Sequence, residues 1–217
     1  MTEAVDNTFG MKEKLVGYFK LTKFRLSITV VFSGLFGFVL GADSWNWLDL
    51  IVFGLSAFFT TATANIINQI KEVELDKLMS RTKERPLPSG ILTKNEAIAF
   101  AIISLVFSSL LMAYFFNLKA LALALLSVVL YGFVYTPLKR KGPIAVAVGA
   151  LPGAFPPMIG WVAASGAFGL EPGILFAIQF FWQFPHFWAI AWVLHEDYEK
   201  AGFKLLPSKG GRNLNSA

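Results

Sequence analysis

Three oxygen-bearing side chains recur at one-turn spacing in the stretch Asn65-Ile-Ile-Asn68-Gln-Ile-Lys-Glu72-Val-Glu-Leu-Asp76. Asn68, Glu72 and Asp76 stand at i, i+4 and i+8, so a helix continuing through them stacks all three on one face, with Asn65 near the same stripe. Two carboxylates one turn apart repel unless a cation lies between them. A hard divalent ion held by one or two carboxylates, its other positions left for phosphate oxygens, is the usual arrangement for magnesium. The plainer alternative is a helix end at a membrane interface whose charges face water.

Two arginines follow directly, four residues apart, in Met79-Ser-Arg81-Thr-Lys-Glu-Arg85-Pro86. Guanidinium forks bind phosphate through paired N–H groups. Acids for a metal followed by cations for phosphate describe a diphosphate site better than either does alone. A second basic pair, Lys139-Arg140, follows Tyr135-Thr-Pro137-Leu. Pro137 stops the helix there and leaves a short loop that can aim both cations at the same mouth. Both clusters also have a topological reading, because loops on one side of a membrane collect Lys and Arg.

His186 sits inside the aromatic run Gln179-Phe-Phe-Trp182-Gln183-Phe-Pro-His186-Phe-Trp188. Ionisable residues are rare in such spans and usually face a bundle interior. There it could contact a large flat ligand, move a proton near neutral pH, or simply bond a neighbouring helix. Trp182 and Gln183 line a pocket or merely pack. Asp197 is placed to hold a second metal or the far side of a diphosphate, or is an exposed helix-end charge.

The scaffold for these groups follows from composition. Apolar residues make up 55% of the 217 residues and charged residues 15%, with a mean hydropathy of +0.59. Soluble domains carry about a quarter charged residues, so there is too little polar surface here for a globule in water. The lack of cysteine excludes a disulfide scaffold, a thiolate metal site and a thiol nucleophile. Six apolar runs, at 26–42, 48–70, 96–116, 119–136, 143–164 and 173–194, are each long enough to cross a bilayer. If they alternate, eighteen of the nineteen Lys and Arg residues fall on one side and only Lys119 on the other. The positive-inside rule makes that side cytoplasmic, so the net charge of +5 orients the chain and does not point to nucleic acid. The reading is an all-α polytopic transmembrane bundle, one domain over 1–217 with a polar cytoplasmic N-terminal segment at 1–22. No signal-peptide pattern opens it, and Glu3, Asp6 and Glu13 argue against a transit peptide, which favours a bacterial cytoplasmic membrane.

The run from Asn68 through Glu72 and Asp76 to Arg81, Arg85 and Pro86 resembles the first aspartate-rich motif of the UbiA-type intramembrane prenyltransferases. Within that superfamily, Tyr135-Thr-Pro-Leu-Lys-Arg140, Pro156-Pro-Met-Ile-Gly-Trp161, Trp182-Gln-Phe-Pro-His186 and Asp197-Tyr-Glu-Lys-Ala-Gly202 with Leu206-Pro207 resemble the protohaem IX farnesyltransferases (haem O synthases). The resemblance implies nine spans where six are read here, which makes the chain either a fragment truncated at its C-terminus or a degenerate copy lacking three helices. It implies Mg²⁺ held by Asn68, Glu72, Asp76 and Asp197, with Arg81, Arg85, Lys139 and Arg140 on the diphosphate. The substrates it implies are farnesyl diphosphate and haem b, the haem contacted by Tyr135, Trp182, Gln183 and His186. It further implies partners in haem A synthase or cytochrome oxidase assembly. The family commonly carries aspartate where Glu72 stands. Rival readings are a prenyltransferase for a quinone or chlorophyll precursor, a transporter using His186 and the acidic stripe, and a non-catalytic helix-bundle assembly factor.

Overall fold

The computed structural model describes residues 9–207; residues 1–8 of the N-terminal segment, and Lys209 and Arg212 of the basic tail, lie outside the described residues. Among the described residues every regular element is helical, and six helical spans are long and apolar enough to cross a membrane. They are α2 (Phe24–Gly41), α3 (Trp47–Asp76), α4 (Lys94–Phe115), the composite span Leu118–Leu138, α7 (Ile144–Ser165) and α8 (Leu170–Val193). The protein is an integral membrane helix bundle. Large apolar side chains such as Ile102, Ile103 and Leu110 of α4 are exposed, as a lipid-facing surface requires.

Local chemistry sets the boundaries. Asn46 accepts from the Asp49 N–H at the start of α3, Thr93 from the Glu96 N–H at the start of α4, and Asn117 from the Ala120 N–H at the next span. Each satisfies a helix-end donor that hydrocarbon cannot. Lys119, the one Lys or Arg on its side among the described residues, donates to the Gly166 carbonyl beyond the end of α7 at 2.7 Å, where helix carbonyls favour positive charge. Exposed Trp47 and Tyr114 mark the same edge of the bundle.

Three features go beyond the sequence reading. The N-terminal segment contains a helix, α1 (Met11–Leu21), pinned by Lys14 Nζ donating to Glu96 Oε1 at 2.7 Å. The second span does not end near residue 70: α3 runs 30 residues to Asp76. That is about 45 Å at 1.5 Å per residue, longer than the ~30 Å hydrocarbon core, so its acidic end reaches past the apolar layer. The fourth span is α5 (Leu118–Val129), a π-helical stretch Leu130–Tyr135 and α6 (Thr136–Leu138), so it continues one residue past Pro137. In the π-stretch the Tyr131 carbonyl accepts from the backbone N–H of Thr136, five residues on, and also from Thr136 Oγ1 at 2.8 Å.

α2 and α7 pack backbone to backbone. A Cβ on Gly37 would lie 1.9 Å from the Pro157 carbonyl oxygen, and one on Gly160 would lie 1.9 Å from that of Gly34. Small residues give membrane helices this approach, where dispersion and not water exclusion drives association. Opposite the acidic end of α3, the buried side chains Phe38, Phe53, Met112, Phe155 and Ile159 close the bundle.

Candidate active site

The extension of α3 places the acidic stripe inside the protein. Asn65, Asn68, Glu72 and Asp76 are all buried, and Asp76 has no exposed surface. A solvated helix end is thereby excluded. Each carboxylate has a cation. Arg85 Nη1 donates to both oxygens of Asp76, at 2.9 and 2.8 Å. Lys139 Nζ lies 2.9 Å from Glu72 Oε1 and donates to Oε2 at 3.1 Å. Asn68 Nδ2 bridges Glu72 Oε2 at 2.9 Å and Thr136 Oγ1 at 3.1 Å, tying α3 to the end of the π-helical span.

A third cation reaches this cluster from the α1–α2 turn. Lys23 Nζ donates to Asn68 Oδ1 at 3.3 Å. Lys23 is the one non-glycine residue with positive φ among the described residues, at 48°. Its neighbours hold that conformation: Gln69 Nε2 donates to the Leu21 carbonyl and Ser27 Oγ to that of Thr22. Burial, reinforced by the charges of Arg85 and Lys139, pulls the Lys23 ammonium down to about 7.

These groups form one end of a cavity of about 630 Å³ that runs down the bundle between α2, α3, the composite span, α7 and α8. Its charged lining comprises Lys23, Glu72, Asp76, Arg81, Arg85 and Lys139, an excess of cations over carboxylates. Tyr131, Tyr135 and Tyr198 line it next to them, and Trp182, Gln183 and His186 of α8 line its side. Lys139 Nζ also lies 5.0 Å from the Tyr135 ring centroid, a cation–π contact. Gln183 Nε2 donates to the Gly153 carbonyl at 3.4 Å, across to α7.

Two of the expected site residues are not brought into this group. Asp197, at the start of α9 (His195–Lys200), does not line the cavity. Its oxygens accept instead from the backbone N–H groups of Ser80 and Arg81, at 3.1 and 3.2 Å. The Ser80 N–H first, with the Arg81 N–H and Lys200, holds the carboxyl below its ordinary range. It tethers the loop that carries Arg81. Arg140 is exposed outside the cavity. It follows Lys139 at a helix end, where consecutive side chains point about 100° apart, so only one of the pair can face inward.

Lys23 is the functional candidate that sequence reading passed over. It was legible only as one of the cations that orient the chain, because nothing in its own neighbourhood pairs it with residues 45 positions away. Tyr131 and Tyr198 were likewise hidden.

The UbiA prenyltransferase family profile matches residues 30–215. The chain belongs to the UbiA prenyltransferase family. It is 56% identical over 95% of its length to the protoheme IX farnesyltransferase of Cytophaga hutchinsonii and 48% identical over 91% to that of Christiangramia forsetii. It spans 73% and 65% of those two proteins. Among solved structures it is similar to a UbiA homolog from Archaeoglobus fulgidus bound to DMAPP and Mg²⁺, with a TM-score of 0.72 at 21% identity over 86% of this chain and 67% of that one. At that identity the likeness shows the UbiA fold alone. The Asn68–Asp76 stripe lies within the matched residues.

Proposed function

We propose that this UbiA-family protein transfers the farnesyl group of farnesyl diphosphate to a vinyl group of haem b, giving haem O and releasing diphosphate. The observation that carries the reading is the joining, in one cavity, of a cation-rich polar end to a long apolar interior. The first is suited to a diphosphate and the second to an isoprenoid tail. The names of its relatives favour haem as the acceptor over a quinone or chlorophyll precursor.

The donor set suits Mg²⁺. Asn68 Oδ1 and the carboxylates of Glu72 and Asp76 offer hard oxygens, held in this structure by Lys23, Lys139 and Arg85. Mg²⁺ bound there would neutralise the diphosphate and make it a better leaving group.

The chain's own residues supply the rest. Lys23, Arg81, Arg85 and Lys139 stabilise the charge that grows on the bridging oxygen as the allylic C–O bond loosens. The rings of Tyr131 and Tyr135 present π-faces to the allylic cation and keep water from it. The vinyl carbon of haem forms the new C–C bond, and water captures the resulting cation and loses a proton, giving the hydroxyethylfarnesyl group. Trp182, Gln183 and His186 line the side of the cavity where the haem docks. The polar end faces the cytoplasm of a bacterial cell, in line with the distribution of Lys and Arg.

The test is conversion of haem b to haem O by membranes containing the protein, supplied with farnesyl diphosphate and Mg²⁺ and followed by chromatography. Unchanged haem sinks the reading. Asp76→Ala should abolish turnover while the protein stays helical.

A further inference from the structure

The cavity has a floor, and the floor is built. Along α3 its lining runs on one face from Asn68 through Ala64, Thr61 and Ala57 to Phe53. Fifteen residues of helix span about 22 Å. The side chains between the two ends are small, and at the far end the channel meets Phe53, which is 1% exposed, with Met112 beside it, also 1%. Phe53 does not stand alone. Its ring lies 5.2 Å from that of Phe38 and 5.9 Å from that of Phe116, and those two are 5.5 Å apart. Gly34 makes room for it: a Cβ there would come within 3.0 Å of the Phe53 ring. Three interlocked rings on α2, α3 and the end of α4 resist displacement, since edge-to-face contacts and close packing both oppose their rotation.

We propose that Phe53, braced by Phe38 and Phe116, sets the upper length of the prenyl chain this protein accepts. This rests on the reading of the cavity as a prenyl diphosphate site. With the diphosphate held at Asn68–Asp76, the tail lies along α3 towards Phe53. One helical turn, about 5.4 Å, is comparable with one five-carbon isoprenoid unit. Three units occupy the channel once the thickness of the Phe53 ring is allowed for, and a fourth meets the ring. Ala57, one turn nearer the acids, is the position at which a bulky side chain raises the floor by one unit.

The experiment measures competition of geranyl, farnesyl and geranylgeranyl diphosphates for radiolabelled farnesyl diphosphate on the detergent-purified protein with Mg²⁺ and without haem. Ala57→Phe is expected to shift preference from farnesyl to geranyl by at least about tenfold, the discrimination a single misfitting apolar group supplies. Phe53→Ala, or the milder Phe53→Leu if the alanine variant does not fold, should shift it towards geranylgeranyl. An unchanged order of preference in the folded variants overturns the floor while leaving the prenyl diphosphate reading intact. Failure of the unsubstituted protein to bind any of the three overturns both.

Discussion

Gly160→Ala and Gly54→Ala make the same chemical change on two membrane helices, and the structure assigns them opposite signs. At Gly160 the new Cβ falls 1.9 Å from the Gly34 carbonyl oxygen and 2.6 Å from the Phe38 nitrogen, against the 3.0 Å below which real Cβ atoms essentially never come. Both obstacles are backbone, so no rotamer change relieves them and α2 must move from α7 by about 1 Å. Overpacking of this kind costs typically 1–3 kcal/mol, and the upper end applies where only helix displacement relieves the clash. The intrinsic gain of alanine over glycine in a helix, about 1 kcal/mol, offsets part of it. At Gly54 the nearest atom is Val31 Cγ1 at 3.7 Å, an ordinary contact, so the helix gain stands alone. Thermal unfolding in detergent, followed by helical circular dichroism, should show Gly160→Ala melting roughly 2–8 °C lower and Gly54→Ala unchanged or a few degrees higher, taking about 2–4 °C per kcal/mol. Equal effects of the two substitutions would refute the backbone-contact account of the α2–α7 interface.

Arg85→Met leaves the fully buried Asp76 without its two-oxygen donor, and removing one partner of a buried pair costs about 3–5 kcal/mol; Asp76→Asn in the same background should recover most of the loss in detergent unfolding titrations. The Asp197 tether has a pH signature. Its carboxyl is held below the ordinary range, so the tether's stabilisation is fully present above the unfolded value, about 3.9, and is lost as pH falls through the lowered folded value. Limited proteolysis between Met79 and Arg85 should therefore stay slow down to that range and accelerate below it, whereas Asp197→Asn should be cut readily even at neutral pH.

The acidic stripe was legible because it is local. Asn68, Glu72 and Asp76 share a face by helical spacing alone, and any helix through them must stack them. The spans were legible for a similar reason: hydrocarbon demands long apolar runs with satisfied ends, so their positions follow from composition, and the capping residues Asn46, Thr93 and Asn117 agree with them. Arg81 and Arg85 could be paired with the acids because a short loop keeps them near.

Pairings that cross the bundle were not legible. Lys139 and Arg140 are equivalent as letters, and only the direction in which the π-helical span ends turns Lys139 towards Glu72 and Arg140 away. Asp197 offers the same oxygens as Asp76, yet the fold sets it against two backbone N–H groups of the Arg81 loop, which makes it a tether. Lys23 enters the site because Gln69 and Ser27 lock an unusual turn between α1 and α2. The chain by itself determined a membrane bundle, its spans and its acidic face, since solvent and helical period act on neighbours in sequence. Tertiary structure alone decided which cations meet which acids, how far the cavity runs and what ends it, because those depend on helices approaching through glycines that carry no chemical label.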